Sequence, residues 1–80
     1  MKLSYPIILK PEGGNYNVVF PDVFGLVTFG TTKNEALYMA HDALITAYKS
    51  QMLTDTTPST LTKINTLFPE YEAYMIEIEI

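Results

Sequence analysis

The chain has no cysteine, no arginine and only one histidine. The first absence excludes disulfides and thiolate metal sites. Arginine is the preferred side chain for bidentate contact with phosphate and guanine. Without it, and with no cluster among the five lysines, direct binding to DNA or RNA loses its main electrostatic support. No apolar run approaches the roughly 18 residues that cross a bilayer. The stretch Pro6-Ile7-Ile8-Leu9, stopped by Lys10-Pro11, is too short for a secretory leader. No membrane association and a cytoplasmic location are the expectations.

What is present is a small acidic globular chain. Eighty residues make a single domain, 1–80, with a modest core that oligomerisation would help to stabilise. An apolar content of 48 % is ordinary for a folded protein and too high for a disordered one. The net charge is −4. After Lys63 come Glu70, Glu72, Glu77 and Glu79 with no base among them. Such a run is either a solvated face or the complement of a basic partner.

The apolar spacing gives the order of elements. Leu3 to Lys10 alternates as a strand, with Leu3, Tyr5, Ile7 and Leu9 on one face. Pro11-Glu12-Gly13-Gly14-Asn15 is a turn, and Tyr16 to Phe20 is a second strand, so the two make an antiparallel hairpin. Pro21-Asp22 ends that strand, Gly25 supplies an unusual φ, and Leu26 to Phe29 is a third strand closed by Gly30. Thr32 with Glu35 matches a capping box, with Thr31 as a competing cap. Ala36, Leu37, Ala40, Ala43, Leu44, Ala47 and Tyr48 recur at spacings of three and four, which predicts an amphipathic helix ending near Ser50 or Leu53. After a polar loop around Pro58, Lys63 to Phe68 has room for one helical turn. Tyr74, Ile76, Ile78 and Ile80 then alternate with Met75, Glu77 and Glu79 as a last strand.

The fold class is therefore α+β, in the order β-β-β-α-β. An antiparallel meander carries a fourth strand beside the first, and one helix packs on one face. If the fourth strand lies beside and parallel to the first, the helical connection between them should be right-handed, and the strand order would be 3-2-1-4. That strand would be a sheet edge open to pairing with another subunit, so Ile76, Ile78 and Ile80 are the expected oligomer edge.

Tyr5-Pro6, Gly13-Gly14-Asn15-Tyr16, Phe20-Pro21-Asp22, Gly25, Gly30-Thr31-Thr32 and Glu35-Ala36-Leu37 together resemble the N-terminal domain of HicB-like antitoxins. No one piece is diagnostic; their order and spacing are. The resemblance implies a partial ribonuclease-H-like fold that binds and inhibits a small basic HicA-like toxin, which cleaves messenger RNA. Three departures stand out. Many relatives carry a C-terminal DNA-binding domain, whereas this sequence stops at Ile80, so no separate DNA-binding domain and no operator binding are expected. Phe24 stands where the family usually has proline. The strand Leu26-Val27-Thr28-Phe29 is more apolar than usual.

Nothing in the sequence assembles a catalytic centre, and no enzyme activity, metal or cofactor is expected. The first strand has no carboxylate for the metals of a nuclease. Glu35 is accounted for as a cap. His41 and Asp42 are adjacent on a helix and point about 100° apart, so His41 reads as a surface residue. Gly13-Gly14 lacks the lysine and helix start of a phosphate loop. Tyr16, Phe20 and Phe29 read as core side chains beneath the helix, with base stacking as the competing role. The reading is a binding protein that neutralises a toxin by protein contact, with Pro21, Asp22, Phe24 and Gly25 at the corner as candidate contacts. The alternatives are an RNA-binding module using the sheet face, or a self-assembling domain.

Overall fold

The computed structural model describes residues 1–80. Strands β1 (Lys2–Glu12), β2 (Asn15–Val19), β3 (Val27–Gly30) and β4 (Glu72–Glu79), with helices α1 (Lys33–Lys49) and α2 (Leu61–Leu67), complete the chain. The four strands form one sheet in the order β3-β2-β1-β4. β1 and β2 meet at Glu12 and Asn15, leaving a two-residue turn. Gly13 and Gly14 both take positive φ, +58° and +84°, the left-handed backbone that a tight hairpin needs and that glycine adopts without a Cβ penalty.

Register sorts the side chains into two faces. Leu9 pairs with Val18, and Tyr5 and Leu3 pair with Ile76 and Ile78. With Ile7 and Phe20 these residues make the core beneath α1. The helix contributes Ala36, Ala40, Leu44 and Ala47, all fully buried. Its start is fixed by Thr32, whose hydroxyl accepts from the Glu35 amide at 3.0 Å. Glu35 in return accepts from the amide and hydroxyl of Thr31 at 2.7 and 3.1 Å. Both candidate caps are thus used, one as cap and one as donor to the returning carboxylate. At the other end, Met52 N–H donates to Ala47 C=O and Gln51 N–H to Tyr48 C=O. This is a Schellman closure, with Gln51 in the left-handed position (φ +60°) that glycine usually fills.

The alanine stripe lets α1 lie very close to β3. A Cβ on Gly30 would stand 2.4 Å from the backbone nitrogen of Ala36 and 2.7 Å from its Cα. No side chain fits there.

Two features differ from the sequence-based expectation. First, β4 lies beside β1 but runs antiparallel to it, with Lys2 opposite Glu79 and Leu9 opposite Glu72, so the parallel arrangement considered for the helical connection does not occur. The reason is a second pass across the sheet. α1 carries the chain from the Gly30 end of the sheet to the end where Leu3 and Ile80 lie. The loop around Pro58 and α2 then return it to the start of β4. α2 lies against β4 and β1. It covers the reverse face, where Ile8 and Ile64 are buried apart from the main core. Secondly, Phe29 is not in the core. It pairs with Asn17, which puts it on the reverse face, where it is exposed; Phe20 is buried as expected and Tyr16 is half-buried against the core.

The Gly30→Ala variant is expected to lose about 1–3 kcal/mol of unfolding free energy, the usual range for overpacking. Denaturant unfolding would read it; an unchanged midpoint would mean that the close seat of α1 is not required.

Candidate partner-binding site

The corner between β2 and β3 is built to hold its tip still. Val23 N–H donates to Phe20 C=O at 3.1 Å, Leu26 N–H to Val23 C=O at 3.2 Å, and Phe20 N–H to Leu26 C=O at 3.3 Å. Phe20, Val23 and Leu26 anchor this corner in the core. Gly25 takes φ +83°, and the turn it permits throws the ring of Phe24 fully into solvent. Burying a phenylalanine ring elsewhere would be favourable by a few kcal/mol. The hydrogen-bonded corner leaves this one exposed instead.

Of the four corner residues singled out from the sequence, Phe24 and Gly25 are exposed, while Pro21 and Asp22 are partly buried. Asp22 holds the corner to the loop before α2. Its carboxylate accepts from the Ser59 amide and the Ser59 hydroxyl, both at 2.7 Å. Thr60, the next residue, caps α2 by accepting from the Lys63 amide at 3.1 Å. One carboxylate thus ties the corner to the helix that covers the reverse face.

The proposed oligomer-edge residues sit differently from one another. Ile76 and Ile78 are buried in the core beneath α1, whereas Ile80 is partly buried. The side chains face inward, so only the β4 backbone and the alternate residues Met75, Glu77 and Glu79 face away from the core. Val27, in the third strand noted for its apolar character, is exposed, and so are Tyr38 and Met39, which no motif marked. The signal available was the apolar third strand, whose register decides which residues turn outward.

No group of three or more histidine, aspartate or glutamate side chains is brought together. Glu35 is engaged with Thr31, and His41 is exposed on α1. A recess of about 670 Å³ opens between the end of α1, the start of β1 and the end of β4. It is lined by Leu3, Tyr48, Leu53, Pro58 and Ile80, with Lys49 as its one charged side chain. Tyr5 and Thr56 bond to each other through their hydroxyls at its floor. No helix is long and apolar enough to cross a membrane.

The strongest electrostatic contact lies on the β4 flank. Lys33 Nζ donates to Glu72 at 2.6 Å and the Tyr74 hydroxyl donates to the same carboxylate at 2.5 Å. The Lys33 bond, then the Tyr74 bond, holds the Glu72 carboxyl below its usual value of 4.5. The Glu72 bond raises the Lys33 ammonium above 10.5. Glu72 therefore stabilises the fold above its unfolded value and loses that contribution as pH falls through its depressed folded value. Lys33 contributes below 10.5 and loses its share as pH rises through its higher folded value.

Two outcomes follow for stability. Asp22→Ala should cost about 1–3 kcal/mol and speed proteolytic cleavage in the loop at 54–60; unchanged cleavage would separate the corner from that loop. Lys33→Ala should lower the melting temperature near neutral pH in low salt. The difference should vanish in 1 M salt, where screening is strong, and at a pH low enough to protonate Glu72.

Comparison with known proteins agrees with this architecture. The model of the HicB_like antitoxin of bacterial toxin-antitoxin system matches residues 5–79. Antitoxin HicB 1 of Photorhabdus laumondii is 52 % identical over 48 residues, which cover 59 % of this chain and 31 % of that protein. The match thus spans about a third of that relative's length. The crystal structure of the N-terminal domain of the Burkholderia pseudomallei antitoxin HicB superposes with a TM-score of 0.80 at 18 % identity, covering 98 % of this chain and all of that one. A toxin-antitoxin complex from Streptococcus pneumoniae gives 0.80 at 20 % identity, over 99 % of this chain and 70 % of that one. At such identities the solved structures establish the fold, and the family model, which spans nearly every element described above, establishes kinship: the chain belongs to the HicB-like antitoxin family.

Proposed function

We propose that this chain neutralises a small basic, HicA-like, mRNA-cleaving toxin by protein–protein contact, in the cytoplasm. The match of the family model across residues 5–79 carries the reading. The acidic balance of −4 supports it, because a basic partner is drawn to a chain of opposite sign. The rigid corner with its exposed Phe24 supports it too, since aromatic side chains on preorganised loops are frequent anchors of interfaces. The domain contributes docking surface and no reacting group.

Contact with RNA or DNA has weaker support. The one lysine lining the reverse-face recess beside β3 is Lys10, and its ammonium lies 5.3 Å from the centroid of the Tyr71 ring. A cation already stacked on the protein's own aromatic ring is poorly placed to neutralise phosphate.

Co-expression of the tagged chain with the small basic protein encoded beside its gene is expected to yield a co-purifying complex and to relieve the growth arrest that the basic protein causes alone. A chain that neither binds that protein nor relieves the arrest would overturn the proposal. Titration with single-stranded RNA at low salt is expected to be flat.

A further inference from the structure

The sheet has two edges, and they are finished in opposite ways. The β4 edge carries Glu72, Glu77 and Glu79, and every ion pair of the molecule gathers on that flank. Glu79 pairs with the Met1 amino group, Glu77 with Lys2 and Glu72 with Lys33. Charged side chains of this kind are a common guard against strand addition. β3 has none. Its sequence, Val27-Thr28-Phe29-Gly30, contains no charge and no proline, and Val27 and Phe29 are 63 % and 56 % exposed.

Apolar surface continues from β3 on both faces of the sheet. On the reverse face a recess of about 480 Å³ is lined by Val19, Val27 and Phe29, with Lys10, Asn17 and Glu12 at its rim. On the helix face a groove of about 340 Å³ runs between β3 and α1, lined by Leu26, Met39, Ala43 and Met52. The Schellman closure of α1 is what brings Met52 back beside Ala47 in that groove. One carboxylate, Asp42, stands in the groove, and it takes part in no ion pair. A segment lying along β3 would therefore find main-chain partners at the strand, apolar contacts on both sides and one unmatched negative charge.

We propose that the β3 edge is where the toxin docks, by adding an extended segment of alternating apolar residues that places a lysine or arginine against Asp42. The unmatched charge selects this occupant over a second copy of the chain. Pairing β3 with its own symmetry mate would bring together two molecules of net charge −4, with no cation in either groove to offset Asp42. A basic protein reverses both terms. Phe24, at the far end of the same strand connection, would extend the contact beyond the edge. The inference rests on the toxin-binding reading above and adds to it the location and chemistry of the contact.

The test compares the complete chain with Val27→Lys, Asp42→Lys and Glu79→Lys in binding to the co-encoded basic protein. The three positions are exposed, and melting curves check that each variant is folded. Val27→Lys and Asp42→Lys are expected to weaken binding at least tenfold. Glu79→Lys, which changes the net charge as much as Asp42→Lys does, should stay within twofold. Hydrogen exchange at the amides of Val27–Gly30 should slow in the complex. Equal binding by all variants, or protection confined to β4, would overturn the proposal while leaving the antitoxin reading intact. A dimer of the free chain that Val27→Lys dissolves would give the edge to a second copy and overturn it as well. Failure of the unmodified chain to bind would remove the antitoxin reading and this inference together.

Discussion

The seat of α1 on Gly30 sets the geometry of everything around it. Glycine removes the one Cβ that would meet the Ala36 backbone, and Ala36, Ala40 and Ala47 keep the facing side of the helix flat. The helix axis can then approach the sheet closely enough for Leu44 to reach the core. Because interiors are packed like solids and transmit strain, a helix held higher would loosen the contact with Val18 and Phe20. It would also widen the groove along β3. The same close approach explains why the caps matter. Thr31, Thr32 and Glu35 satisfy the first turn within a few residues of the contact, so the helix enters at one angle.

The second constraint is the return of the chain across the reverse face. α2 and the loop before it cover the β1 and β4 half of that face and bury Ile8 and Ile64. The β2 and β3 half receives no such cover, and Val27 and Phe29 stay exposed there. The two helices therefore cover the sheet unequally, and the uncovered part of the reverse face lies over β2 and β3. The Asp22–Ser59 bonds fix this division, because they tie the open corner to the segment that covers the other half.

Charge follows the same division. Cations are matched to glutamates along β4, where the backbone edge would otherwise be open to chance pairing. Exposed ion pairs add little stability each, and charged side chains along a strand also disfavour pairing at its edge. Along β3 apolar side chains and a lone aspartate remain. The two edges of the sheet thus differ in kind, one lined by ion pairs and the other by exposed apolar side chains.

The local elements were legible in the sequence because each is dictated by neighbours in the chain. The Gly13-Gly14 turn, the Thr32 and Glu35 cap, the alanine stripe, the alternation of Tyr74 to Ile80 and the motif order that points to the antitoxin family all depend on residues a few positions apart. The meander order 3-2-1 followed from those short connections, and the place of the fourth strand beside the first from the helical connection. The direction of β4 did not. It depends on α2 crossing the reverse face, and the seven residues of α2 carry too weak a periodic signal to announce a second pass. Nor did the sequence tell that Phe29 turns away from the helix while Phe20 turns toward it, since both sit in short apolar strands and only the pairing with Asn17 separates them. Asp22 stood out as a corner residue, yet its bonds to Ser59, thirty-seven positions away, exist only once the chain has folded. The sequence by itself determined the elements, their order and the kinship; the tertiary structure alone decided which faces and edges stay open, because solvent exposure is set by contacts between segments far apart in the chain.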